Sequence, residues 1–260
     1  MSLFKVSRFL ARAKGKQTKL LVNAGTLYSS TMNSGNKEYA TDGKPISRFS
    51  IPKIDTLPPD MQELMNESME KAGFVPNVFK TLSHRPEEMR AFVNYYDVVM
   101  SGRENGNLTK ADRELIIVAV SAHNNCRYCI VAHSALHRIF SKNRILADQV
   151  AANWETADLD DRQKAILDFA MQVAVCRPLS ERHFEELYKH GLDEEDAWDI
   201  GSVVALFSLS NRMAFLTTKK MSRVAKVIPR SGCSARGLKI ALSEASALSH
   251  RSVDLNLRKY

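Results

Sequence analysis

The sequence predicts an all-α fold, and three observations carry that prediction. Apolar residues recur at three- and four-residue spacing from Pro58 to about Lys226. Capping and stopping residues bracket those stretches. No convincing run alternates apolar and polar residues in the manner of a strand. The pattern reads as roughly seven or eight helices, and short loops favour antiparallel, bundle-like packing.

Taken in order, Met61, Leu64, Met65 and Met69 make one apolar stripe, read as core filler, and Gly73 stops it. Pro86, Glu87 and Glu88 suit a first turn, where proline wastes no donor and acids complement the helix dipole. That helix runs through Tyr95 to Met100 and ends near Gly102. Thr109 and Asp112 have capping-box spacing, although Glu or Gln is the usual partner. The helix they open carries Leu115, Ile116, Val118 and Ala119. Asp160 and Asp161 open another, with Ile166, Leu167, Ala170 and Val173 inward and Pro178 as its end. Ser180 caps Glu181–Lys189, and Gly191 stops it. Asp193 opens a long apolar helix through Trp198, Val203, Leu206, Phe207 and Met213. The stretch from Leu108 to Ile116 echoes the one from Leu159 to Leu167. A duplicated helical hairpin explains that echo, and so does the common look of capped amphipathic helices.

The chain has 260 residues and a net charge of +8, but the charge is unevenly spread. Residues 1–37 hold seven basic residues and no acid, and residues 230–260 hold six basic and two acidic. The remaining 192 residues hold 24 basic and 27 acidic. The body is therefore mildly acidic, which argues against nucleic acid as a partner. No apolar run approaches the roughly 20 residues of a membrane span. Four cysteines do not make a disulfide-stapled scaffold. Leu3, Val6 and Leu10 recur at helical spacing among Lys5, Arg8 and Arg12, with no acid before Glu38. That composition predicts a mitochondrial transit segment and a matrix location; a start at Met32 would leave a cytoplasmic protein. The expected domains are a targeting segment and linker over 1–50, a helical body over 51–229, and a basic tail over 230–260.

Chemistry concentrates between Glu114 and His133. Asn124 and Asn125 are poor helix formers and good caps, so one helix should end there and another start at Cys126. Cys126 and Cys129 then share a face of a first turn, where the dipole favours a thiolate. His133 follows one turn beyond Cys129. Two thiols beside an imidazole form a redox arrangement, in which the base takes a proton and the thiolate attacks. Zinc held by Cys126, Cys129, His133 and His137 is a rival reading. Cys126 and His137 would lie about 16 Å apart along a continuous helix, too far for one ion with bonds near 2 Å. Inert packing of two thiols is a third reading. Beyond this cluster, Cys176 reads as a packed free thiol and Cys233 as exposed in the tail. His123 reads as a structural histidine or a pocket lining, His137 as surface or interface, and Arg212 as a partner for a carboxylate.

The spacing Glu114-x11-Cys126-x2-Cys129-x3-His133 resembles the AhpD-like alkylhydroperoxidase family of the carboxymuconolactone decarboxylase superfamily. The run from Gly73 to Phe79, Tyr128, and the stretch from Asn211 to Ala214 resemble its peroxidase-related branch. The resemblance covers about Ile51 to Pro229. It implies an AhpD-like helical bundle, usually a trimer or hexamer, that reduces peroxide with a cysteine pair and no cofactor or metal. It implies Cys129 as the peroxidatic thiol, Cys126 as the resolving thiol that meets an external thiol or dithiol reductant, and Glu114 as the partner orienting His133. Tyr128 stands where better-studied members carry histidine, and a tyrosine is neutral near pH 7. The expected function is reduction of organic hydroperoxides or hydrogen peroxide. Alternatives are a dithiol oxidoreductase acting on protein or lipoyl disulfides, and a non-enzymatic, redox-responsive interaction protein on the same scaffold. The decarboxylase reaction itself has no use for a redox dithiol.

Overall fold

Nine α-helices occur among the residues that the computed structural model describes, 45–217, and no β-strand does. They are α1 (Pro59–Ala72), α2 (Asn77–Leu82), α3 (Pro86–Ser101), α4 (Lys110–His123), α5 (Arg127–Ser141), α6 (Leu146–Asn153), α7 (Asp161–Ala174), α8 (Glu181–Lys189) and α9 (Glu194–Thr217). Short 3-10 turns sit at Ile54–Thr56 and Trp154–Thr156. The all-α expectation holds. Seven helices were legible from spacing and caps; α2 and α6 were not, being only six and eight residues long. The basic segment over 1–37 and the tail over 230–260, with Cys233, lie outside the described residues. Ile46 and Ser47, within the stretch expected to be linker, are buried.

The core is organised by α4. Every residue from Asp112 to Ser121 is buried, so this helix is enclosed on all sides by α5, α6, α7 and α9. Full burial of Ile116, Ile117, Val118 and Val120 stabilises the fold by about 1.5–3 kcal/mol per side chain. A second cluster joins Leu57, Met61, Leu64, Met65 and Val75 to Met89 and Val93 of α3, and Phe92 packs against both clusters. Met69 departs from its stripe and is exposed. Trp198 is also exposed, at 75%. By length and composition α9 could cross a membrane, which the search for apolar runs missed, but half of its apolar window is buried inside the bundle.

The sequence echo has a structural counterpart. Both α4 and α7 have 14 residues and open with a capping box, Thr109 with Asp112 and Asp160 with Gln163. Both end at a non-glycine residue in the left-handed region, Asn125 at φ 55° and Cys176 at φ 54°. Leu159 follows Leu108, and Cys176 follows Asn125, at the same interval of 51 residues. The terminal hydrogen bonds repeat as well. Asn125 N–H donates to Ala122 and Cys126 N–H to Ser121, as Cys176 donates to Val173 and Arg177 to Gln172. The same helix and turn are thus built twice, and the copies pack against each other. Cys176 is exposed rather than packed.

Two basic residues hold the helices in register. Arg162 of α7 donates to the Asp112 carboxylate at 2.9 Å, and so ties the second copy to the cap of the first. Arg113 is 2% exposed. It donates to the Val99 carbonyl at 2.9 Å and to Asp199 at 2.7 Å. A Cβ added to Gly102, at φ 74°, would lie 2.7 Å from the Arg113 guanidinium, so glycine there satisfies both the backbone and the close approach. Replacing Arg113 by alanine leaves a carbonyl unpaired and leaves the largely buried Asp199 carboxylate with only the longer contact to Arg103 at 3.8 Å. The expected loss is about 3 kcal/mol or more of unfolding free energy. Urea denaturation measures it, and a loss below about 1 kcal/mol would contradict a structural ion pair.

Candidate active site

The turn between α4 and α5 places the two sulfurs. Asn124 caps the end of α4, Asn125 takes the left-handed conformation, and Cys126 N–H returns to the Ser121 carbonyl at 2.8 Å. Asparagine tolerates that conformation better than most residues. Cys126 is then the N-cap of α5 and Cys129 its third residue. Their sulfurs lie 3.2 Å apart, and both residues are 3% exposed. They are free thiols in this structure, and a disulfide would need them to close to about 2.05 Å.

Two thiolates fit such a pair poorly; one shared proton fits well. The charge rests on Cys126, whose thiol is lowered to about 6. The main cause is a hydrogen bond from the Cys129 thiol; burial opposes it, and the Cys129 backbone N–H, the Asn211 amide and nearby His133 support it. Cys129 is raised well above the ordinary thiol value, because it supplies that hydrogen bond, is buried, and faces a negative neighbour. This polarity fits the position of Cys126 at the helix start, and it puts the lowered pKa on the sulfur that the family resemblance reads as resolving rather than on Cys129.

His133 stands one turn into α5, where its Nδ1 meets Glu114 Oε2 of α4 at 2.7 Å. Burial of Glu114 and an edge-on contact between His133 and Phe207, with centroids 4.7 Å apart, hold the ring in place. With Nδ1 occupied, Nε2 is the nitrogen left for proton traffic. The four residues expected from the sequence are therefore brought together: Cys126, Cys129 and His133 on one helix, and Glu114 opposite His133 on its neighbour.

Tyr128 is half-buried against the dithiol, and its hydroxyl accepts the Val78 N–H of α2 at 3.4 Å. The Gly73–Phe79 segment is thereby joined to the site. Three other expectations fail. His123 is exposed at the end of α4. His137 is 1% exposed, with burial lowering its pKa to about 4, and is a neutral core residue rather than a surface one. Arg212 is exposed and donates to the Ser208 carbonyl of its own helix. Among the described residues no cluster of three metal-ligating side chains occurs.

Asn211 of α9 is the site residue whose role spacing did not reveal. It is fully buried, and Ala214 one turn on belongs to the same packed cluster as the two cysteines. Asn124 Nδ2 donates to Asn211 Oδ1 at 3.0 Å, and Asn211 Nδ2 donates to Ser121 Oγ at 3.1 Å. The available signal was a buried polar residue on the long apolar helix that the sequence predicted.

Residues 86–152 match the sequence profile of the carboxymuconolactone decarboxylase family. The crystal structure of the alkylhydroperoxidase AhpD core of an uncharacterized peroxidase-related protein from Ralstonia eutropha JMP134 is similar. It is 47% identical, covers 73% of this chain and 99% of its own, and gives a TM-score of 0.69. An uncharacterized peroxidase-related protein from Silicibacter sp. TM1040 is 34% identical over 72% of this chain and 93% of its own, with a TM-score of 0.61. The apo debrominase Bmp8, at 19% identity and a TM-score of 0.50 over 78% of this chain and 97% of its own, shares the fold. No curated protein sequence matches the chain.

The charge distribution makes a direct prediction. Alkylation of the reduced protein by iodoacetamide, mapped by peptide mass, should modify Cys126 with a midpoint near pH 6 and leave Cys129 slow at pH 7. Below the midpoint the thiolate is protonated, and the rate should fall about tenfold per pH unit. A Cys126 midpoint near 8.5, the ordinary thiol value, would contradict the shared-proton pair.

Proposed function

The chain belongs to the carboxymuconolactone decarboxylase superfamily as an AhpD-like member, and from that premise we propose that it is a thiol-dependent peroxidase reducing organic hydroperoxides or hydrogen peroxide. One observation carries the reading: a buried dithiol with its sulfurs 3.2 Å apart, on the same helix as an imidazole anchored to a carboxylate. Such a pair can pass electrons to an oxidant and end as a disulfide without large movement.

In the proposed cycle, the Cys126 thiolate takes the proton of Cys129 as the Cys129 sulfur attacks a peroxide oxygen. The O–O bond breaks, Cys129 becomes a sulfenic acid, and the departing alkoxide or hydroxide is protonated through His133. Cys126 then attacks the Cys129 sulfur, the S–S bond forms, and water leaves with the Cys126 proton. The balance is one peroxide and two thiols giving one alcohol (or water), one water and one disulfide. An external thiol or dithiol restores the pair. Glu114 keeps the His133 ring oriented, and removing such an orienting carboxylate costs about 10²-fold or more in rate. The lowered thiol and the attacking thiol are thus different sulfurs, with Cys126 serving first as base and then as resolving nucleophile.

A second reading, exchange with protein or lipoyl disulfides, is favoured by the lowered Cys126 thiol, since a thiolate near neutral pH attacks disulfides well. Burial of both sulfurs favours the small oxidant over a disulfide on a folded protein. The composition of residues 1–37 supports a mitochondrial matrix location, and the family resemblance supports a homo-oligomer.

Replacing Cys129 by serine should abolish thiol-dependent peroxide consumption. Replacing Glu114 by glutamine should lower kcat about 10²-fold while the dithiol still forms a disulfide with a chemical oxidant. Assays run with peroxide and with a lipoyl disulfide in parallel decide between the readings. Full activity in C129S would reject the assignment, and turnover on the disulfide alone would establish the second reading.

A further inference from the structure

We propose that the outer face of α9 docks onto the same face of a second copy of this chain, the two helices lying antiparallel across a twofold axis beside Ala205. The proposal is independent of the thiol chemistry, and it names a surface through which a homo-oligomer forms.

The helix is sharply two-sided. Ile200, Val203, Val204, Phe207 and Asn211 are buried in the bundle. On the other side Trp198 is 75% exposed, and Leu209 and Leu216 are each 54% exposed. Ala205 and Arg212 are exposed with them, and Gly201, Ser202 and Ser208 are half-buried. At 3.6 residues per turn, all of these fall within about 60° of one line down the helix. From Trp198 to Leu216 that line runs about 27 Å, and Arg212 is the only charged residue on it. A contiguous apolar stretch of this kind marks an interaction surface.

Two features identify the occupant. The first is Gly201. It lies inside the helix and outside the left-handed region, where glycine costs about 1 kcal/mol relative to alanine. Nothing within the subunit offsets that cost, since a Cβ added to Gly201 would meet no neighbour within 4 Å. The gap serves a group that approaches from outside. The second feature is that the stripe is balanced about Ala205. Ser202 and Ser208 stand three residues to either side, Gly201 and Leu209 four, and Trp198 and Arg212 seven. A twofold contact demands such self-complementarity. In an antiparallel pair, Ala205 meets its own counterpart, and the small side chains there let the helix axes approach to about 8 Å. Leu209 of each copy fills the gap at Gly201 of the other. Arg212 of each copy covers the Trp198 ring of the other, a cation–π pairing. A parallel pair would set Leu209 against Leu209 and leave the gap empty. A lipid surface would bury the same apolar groups but has no use for a gap matched to a leucine.

The test is the mass of the full-length protein in solution, measured by light scattering and sedimentation velocity. The wild type should form an even-numbered assembly, and L209E, which drives a carboxylate into the gap, should halve its mass. Helical circular dichroism should be unchanged in L209E, because Leu209 is exposed within the subunit. W198A should weaken association about tenfold or more. Oxidation of G201C/L209C should give a disulfide between positions 201 and 209 of different chains, mapped by peptide mass. Within one helix these positions are about 12 Å apart, too far to bridge. A monomeric wild type, a trimer, or an L209E variant of full mass would overturn the proposal. A monomer that floats with phosphatidylserine-containing vesicles would overturn it in favour of a lipid surface. If L209E does not fold, the 201–209 cross-link decides, and its absence would overturn the proposal equally.

Discussion

Two sulfurs held 3.2 Å apart and shielded from water can comfortably carry one proton and one negative charge between them. Much else in the site serves that constraint. The charge needs donors, which come from the neighbouring thiol and the start of α5. In the proposed peroxidase cycle the departing oxygen would need a proton, which an imidazole anchored by a buried carboxylate can deliver. Glu114 and His133 come from the packed helices α4 and α5, and the short turn between those helices sets the cysteines.

The scaffold explains how such closeness is maintained. A helix buried along ten consecutive residues has no solvent face on which to pivot, so Glu114 and Ser121 are fixed relative to the core. The same helix and left-handed ending recur in α7 with Arg177 and Pro178 in place of the first cysteine and its neighbour. One copy of the unit therefore carries the dithiol, and the other has Arg177 and Pro178 in its place. Cys176 marks the difference, since it occupies the turn position of Asn125 and is exposed, with no second thiol beside it among the described residues.

Much of this was legible in the sequence, and the failures have physical causes. Caps and spacing identified α1, α3, α4, α5, α7, α8 and α9, because each has a start signal or an apolar stripe. The helix α2 is too short to show a period, and α6 is a single buried face of eight residues. The dithiol and His133 were readable because helical spacing alone makes the three neighbours, and Glu114 was readable through the family resemblance. Asn211, 85 residues beyond Cys126, was visible only as part of a resemblance, because contact across the bundle leaves no periodic trace. His137 was misplaced because a histidine one turn from a charged site suggests solvent, whereas the helix carrying it is buried on that side. Trp198 erred in the other direction, since an aromatic within an apolar helix suggests core.

The most direct test is a single turnover. Reduced protein mixed with one equivalent of hydroperoxide, quenched and digested without reductant, should lose two thiols and yield one peptide cross-linked between Cys126 and Cys129, with one equivalent of alcohol formed. Unaltered thiols at these two positions, or oxidation confined to Cys176, would show that the buried pair is not where peroxide is reduced.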